Sequence, residues 1–325
     1  MTVVDRLDHF QRRRPWAGFP LAVVYKFVDD QGGYLAALLA YYGFLSLFPL
    51  LLLLVTVLGF VLDGDPGLQQ QVLSSTLSQL PIIGDQLRNN VGSIQGSVPA
   101  LLVGLLGSLY GATGVAQAGQ NAMNTLWAVP RHRRPNPFRS RVRSLRSVVL
   151  LGTGMVMTTV LSGMFASGGA FGRELGVVGT VVAVLVSVIG NVALFLGGFR
   201  LLTARQVPLR AFLPGALAAA LAWQVLQLLA ALLVGTQLKR ASEIYGLFAI
   251  VLGLVGWLYV TALITLLCAE VNVVRCQGLW PRSLLTPFTD DVDLTDADER
   301  QYTAQAVSQQ AKGFERIEVS FHDDR

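Results

Sequence analysis

Charge is scarce in this sequence: 14% of its 325 residues are Asp, Glu, Lys or Arg, while 53% are hydrophobic and the mean hydropathy is +0.53. A globular protein with so few charges could not clothe its surface, so the composition points to an integral membrane protein with several spans. Cysteine is nearly absent. Cys268 and Cys276 are the two present, there is no CxxC, and their spacing suits neither a redox motif nor a zinc knuckle; both read as membrane-buried thiols. The three histidines, His9, His132 and His322, are scattered over polar segments, which argues against a histidine metal centre. No glycine-rich loop ends in Gly-Lys-Ser/Thr, so ATP is not the direct energy source within this chain.

What the chain has instead is long charge-free runs. The clearest, Tyr34 to Leu62, is 29 residues without one charged side chain. As a helix it reaches roughly 43 Å, against a hydrocarbon core of about 30 Å, so it must tilt, kink or protrude. It carries Tyr41, Tyr42, Ser46 and Pro49, odd choices if greasiness were the only requirement. Pro49 cannot donate to the carbonyl of Leu45 and is a candidate hinge.

Before this run lie a basic arm with Arg6, Arg12, Arg13 and Arg14, and a stretch from Pro20 to Asp30. The stretch puts Leu21, Val24, Phe27 and Val28 on one helical face with Lys26 and Asp29 elsewhere, the pattern of a short helix in the headgroup plane. After the run, apolar residues recur at helical spacing among Gln and Ser on either side of Pro81 and Gly84; residues 66–95 read as an amphipathic helical hairpin outside the hydrocarbon. Further spans are expected at about 98–128, 147–167, 177–199, 211–235 and 244–274.

The fold class that follows is all-α: a polytopic membrane protein of six transmembrane helices with an outer hairpin between the first two. Residues 1–33 form a cytoplasmic basic arm and interfacial helix, 34–278 the membrane domain, and 279–325 an acidic, disordered cytoplasmic tail. Placed on this topology, 21 Lys and Arg residues fall on the inner side and four on the outer, so both termini are expected in the cytoplasm of a bacterial cell with the chain in its inner membrane. Between the second and third spans stand Arg131, Arg133, Arg134, Arg139, Arg141, Arg143 and Arg146. Only Phe138 offers an aromatic ring there, so anionic lipid headgroups are the expected partners and no nucleic acid is. A homo-oligomer is compatible with the sequence.

Polar residues inside spans direct attention to function. In the second span Gly104, Gly107, Gly111 and Gly114 share one face, either for close helix packing or as a glycine-lined path. Its end carries Gln117, Gln120, Asn121 and Asn124. Asn191 lies in the fourth span, Gln224 and Gln227 in the fifth, and Glu270 in the sixth, about one turn from Arg275, where it serves as a proton carrier, an ion-pair partner of Arg275 or a headgroup anchor. Together Tyr41, Tyr42, Ser46, Gln117, Gln120, Asn121, Asn191, Gln224, Gln227 and Glu270 are candidates to line a cavity, or else they pair across helices, each pair contributing about 0.6–2 kcal/mol.

Four stretches resemble the YihY/virulence factor BrkB family of bacterial inner-membrane proteins, formerly labelled ribonuclease BN-like. They are Ala36-Ala37 leading to Ala40-Tyr41-Tyr42 and Ser46-Leu47-Phe48-Pro49; Asn124-Thr125-Leu126-Trp127; Arg210 with Leu213-Pro214-Gly215; and Tyr245-Gly246, Trp257-Leu258-Tyr259 and Ala269-Glu270. Cys268 stands where the family usually has glycine, and the likeness covers about residues 20 to 278. The resemblance implies a six-helix membrane protein of a family linked to virulence and serum resistance, to nuclease activity and to envelope lipid transport.

A nuclease needs carboxylates or histidines that converge on metal and water. On the expected topology Glu270, Asp29 and Asp30 lie inside while Asp63, Glu174 and Glu243 lie outside, so these groups cannot form one site. No catalytic, cofactor-binding or metal-ligating residue is assigned, and the chain is not expected to be an enzyme. The leading expectation is a transporter or flippase for a solute, ion or envelope lipid, secondary or passive in mechanism. The alternative is a non-transporting envelope scaffold.

Overall fold

The computed structural model describes residues 3–61, 98–166, 176–233, 247–289 and 292–321. The hairpin expected at 66–95 lies outside the described residues, as do Arg173, Glu174, Lys239 and Glu243.

Among the described residues the chain is helical and contains no strand. Two short helices, α1 (Val3–Arg13) and α2 (Pro15–Asp29), precede six long ones: α3 (Gly32–Val61), α4 (Val98–Leu126), α5 (Pro137–Ala166), α6 (Gly176–Leu202), α7 (Leu209–Leu233) and α8 (Leu247–Gln277). Helix α9 (Asp296–Ser308) follows. Each long helix packs on its neighbour in the chain, and α8 returns to α3, closing a ring. Five of the six are long and apolar enough to cross a membrane: α3, α4, α6, α7 and α8. The segment expected to span at 147–167 belongs to α5, which begins ten residues earlier, at Pro137, and carries Arg139, Arg141, Arg143 and Arg146 in its first turns.

The seam between α3 and α4 is the most extensive packing in the ring, and it follows from glycine spacing. A Cβ on Gly104 would lie 2.9 Å from the Leu53 nitrogen, one on Gly107 2.8 Å from Pro49 Cβ, one on Gly111 2.6 Å from Ser46 Cα, and one on Gly114 2.6 Å from the Tyr42 ring. The glycine face therefore matches a stripe on α3 and lets the helices touch almost backbone to backbone, where dispersion replaces the hydrophobic effect that lipid cannot supply. Of the two uses open to these glycines, packing is the one observed. The opposite flank of α4, with Leu102, Val103, Leu106 and Tyr110, is exposed as a lipid-facing surface should be. Pro49 sits within one continuous helix with its ring against Gly107, so the expected hinge is a packing site here.

At the arginine-rich end several helix C-termini come together, and cations meet carbonyls at these ends or just beyond them. Lys26 donates to Leu126 O (3.0 Å), Arg134 to Val129 O (3.1 Å), and Arg143 to Leu201 O (2.6 Å) and to Thr203 O. The last-turn carbonyls carry the negative end of the helix dipole, so cations are favoured there. Helix α8 ends on Gly278 at φ +63°, with the Leu279 N–H returning to Val274 O. Helix α4 ends by the same device, Val129 N–H to Asn124 O, but with Ala128 in the left-handed region at φ +47°.

Two expectations are corrected at this end. The tail beyond residue 279, read as disordered, instead carries α9, started by a full capping box between Thr295 and Asp298. Acidic composition hid an N-terminal cap signal, because carboxylates in a first turn stabilise a helix. On α2 the apolar Val24 and Val28 are exposed, as a helix lying against lipid requires, but Lys26, expected on its polar side, is buried with Ala22 and Val23. In lipid the outer face is the apolar one, which inverts the rule for a helix on water.

Candidate functional site

The Lys26 side chain is 1% exposed although it is charged, and its position in α2 explains why. Helix α2 packs on α8 and on the start of α3, so the residues one turn apart at 26 and 30 are turned toward Glu270 of α8. Lys26 donates to Asp30 Oδ2 and to Leu126 O, and its Nζ lies 3.7 Å from Glu270 Oε2. Glu270 is fully buried, and among the described residues its carboxyl meets the Asp30 carboxyl but no N–H or hydroxyl within hydrogen-bond distance. Nearby, Asn272 is fully buried and accepts from the Gly215 N–H at 2.7 Å, while its own Nδ2 has no partner among the described residues. A Cβ on Gly215 would collide with the Cys268 carbonyl and the Asn272 amide, so glycine is required for α7 to approach α8.

Burial by itself would lower the pKa of the Lys26 ammonium, but Glu270 and Asp30 outweigh that and raise it above its usual 10.5. For Asp30 burial is the largest influence and raises its carboxyl above 3.8, with Lys26 pulling the other way. The cluster is thus one firmly protonated cation facing two carboxyl groups, in a place where unpaired charge is costly.

A second layer closes over it from α9. Arg282, itself 1% exposed, pairs with Asp29 at 2.5 Å and with Asp298 at 2.7 Å, and its guanidinium lies against the rings of Tyr25 and Tyr302. Burial opposes the charge on Arg282, yet Asp29 and Asp298 raise its pKa overall. Gln301 reaches Asp30 Oδ1 at 3.5 Å and Gln305 donates to Asp29 O at 2.9 Å. Gln11 of α1 and Tyr25 of α2 hold the same segment by donating to Arg282 O and Leu284 O.

The ten cavity candidates are not gathered in one place. Glu270 alone among them belongs to this cluster, and its cation is Lys26 rather than Arg275, which is exposed. Tyr42 and Ser46 pack on Gly114 and Gly111, while Tyr41 is 56% exposed. Gln120 donates to Ser144 Oγ (2.8 Å), Asn121 accepts from Arg134 (3.1 Å), and Gln224 donates to Ser187 Oγ (3.4 Å). Asn191 and Gln227 are half-buried and Gln117 is exposed. Among the headgroup candidates, Arg131, Arg133, Arg139 and Arg141 are exposed, while Arg134 and Arg143 turn inward to the carbonyls described above. Of the two cysteines only Cys268 is buried; Cys276 is exposed.

Lys26, Asp30 and Asn272 are the residues that sequence reasoning missed. A lysine inside the apolar run Pro20 to Val28, four residues before an aspartate, was the available signal.

The family model described as "Virulence factor BrkB" matches residues 23–281. An uncharacterised protein of Dickeya dadantii (strain 3937) is 26% identical over 260 residues, covering 75% of this chain and 79% of its own length. Inner membrane protein YhjD of Escherichia coli (strain K12) is 25% identical over 287 residues, covering 82% of this chain and 83% of its own length. No solved structure matches. The match takes in α3 to α8 and every residue of the buried cluster, Lys26, Asp30 and Glu270 alike; the chain is a membrane protein of the virulence factor BrkB family.

Proposed function

We propose that this chain is a transporter or flippase of the bacterial inner membrane, secondary or passive in mechanism, with α5 as its sixth span and both termini in the cytoplasm. The inner-membrane placement leans on the name of its relative YhjD and on the apolar helices. Orientation leans on the crowding of arginines at the end where α1, α2 and α9 also lie. The observation that carries transport is Glu270: a fully buried carboxyl in α8 that shares the Lys26 ammonium, 3.7 Å away, with the neighbouring Asp30 carboxyl and meets no N–H or hydroxyl donor among the described residues. Such a group costs several kcal/mol to keep in a membrane protein, and ionisable residues at this depth are the usual working parts of transport paths. In this conformation the cluster is shut off from the arginine-rich side by Arg282 and α9, as an occluded or inward-closed state would be.

Reconstitution of the purified protein in liposomes, with labelled phospholipids and small solutes inside or outside, tests this directly. Flux or flipping that disappears in Glu270→Gln is the expected result. A folded protein with no flux for any probe would favour the second reading, a non-transporting envelope scaffold. That reading draws on the dense α3 to α4 seam, in which Tyr42 and Ser46 are spent on packing. Lipid contact through the exposed Arg131, Arg133, Arg139 and Arg141 belongs to both.

A further inference from the structure

A cavity of about 470 Å³ opens beside the end of α4, where the 203–208 connection, the end of α8 and helix α9 meet. None of the ten cavity candidates lines it. Its chemistry is one-sided. Arg205 and Arg300 line it, and among the described residues no carboxylate does. Trp127 and Gln277 stand in its wall, their indole Nε1 and amide Nε2 buried and without a partner among the described residues. Trp127 is 1% exposed and packs edge-on against Phe212, so its indole is fixed in place. Arg205 commits one N–H to Trp127 O at 3.4 Å and Arg300 gives its Nε to Asp296 O, which leaves further donors on each guanidinium fork. The acidic residue of α9 nearest the core, Asp298, is already spent on Arg282.

Two guanidiniums with uncommitted N–H groups, in a wall where the described residues include no carboxylate, call for a ligand that only accepts. We propose that this cavity binds the phosphate group of an anionic ligand, with Arg205 and Arg300 supplying both charge and N–H donors. A phosphate offers several acceptor oxygens to donors arriving from different elements, whereas a carboxylate would satisfy one fork. The group comes either as a free phosphate or as the headgroup of an inner-leaflet phospholipid. The proposal does not depend on whether the chain transports.

Cys276 also lines the cavity and is the exposed cysteine of the pair, so its thiol reports occupancy without any mutation. The experiment measures maleimide labelling of Cys276 in the full-length protein, in detergent with inorganic phosphate against sodium chloride of equal ionic strength. It is repeated in vesicles of phosphatidylcholine with and without phosphatidylglycerol. Slower labelling in phosphate identifies the free group as sufficient; slower labelling only in the phosphatidylglycerol vesicles identifies a lipid headgroup. In Arg300→Gln, an exposed position, the protecting concentration should rise about tenfold, as loss of one charge-assisted contact predicts, with the melting temperature unchanged. Equal labelling under all four conditions overturns the proposal, as does protection that survives intact in the Arg205→Gln/Arg300→Gln double variant.

Discussion

The ammonium of Lys26 stands 3.7 Å from Oε2 of Glu270, tying a short helix that precedes the first span to the last span of the ring. Removing the cation leaves Asp30 and Glu270 buried and uncompensated, so Lys26→Met should cost about 3–5 kcal/mol. Glu270→Gln keeps the Lys26 to Asp30 pair and should cost clearly less. Thermal unfolding of the two variants in the same detergent ranks them; a Lys26→Met protein as stable as the parent would remove the pair from the account of stability.

Asp30 gives the protein a pH dependence of definite sign. Its folded pKa is raised above 3.8 by burial, against the pull of Lys26. A carboxyl raised on folding contributes stability that is complete below its unfolded value and is lost as pH rises through the folded one. The contribution from Asp30 therefore declines from pH 3.8 upward, and Asp30→Asn should show a flatter melting profile from there to neutrality.

Gly111 should tolerate no side chain. Its Cβ would lie 2.6 Å from the Ser46 Cα, so the backbone of α3 would have to retreat. Gly111→Val is expected to lose about 1–3 kcal/mol or to fail to accumulate in the membrane. Gly152, with nothing within 4 Å of its Cβ position, is the matched control: Gly152→Ala should gain up to about 1 kcal/mol from helix propensity.

Arg282 should prove to be the fastening of the C-terminal helix. Arg282→Met strands the carboxylates of Asp29 and Asp298, and Arg282→Lys restores charge but not the planar fork that reaches both. Limited proteolysis should cut both variants between residues 284 and 321 well before the parent, with α3 to α8 intact. Equal protection would show that α9 is held by its other contacts.

Ala128 is the opposite case, a position where less side chain is better. It ends α4 at φ +47°, where glycine ends α8 at Gly278. Ala128→Gly should raise stability by about 1 kcal/mol, read as a higher melting temperature.

The amino-acid sequence by itself determined where the helices run. Uncharged stretches placed α3, α4, α6, α7 and α8 to within a few residues, because hydrocarbon thickness fixes span length and lipid forces backbone groups to pair within the helix. The glycine spacing in α4 was legible too, since a close approach requires a face without Cβ atoms. Tertiary structure alone decided the rest. That Lys26 points inward while Val24 and Val28 point out depends on what covers α2, and its partner Glu270 is brought near by the return of α8 to α3. Local periodicity carries no record of contacts made across the whole length of the chain. Nor could composition show that an acidic tail folds, because the order of α9 rests on Arg282 reaching two carboxylates from separate helices, a geometry that exists only once the ring has closed.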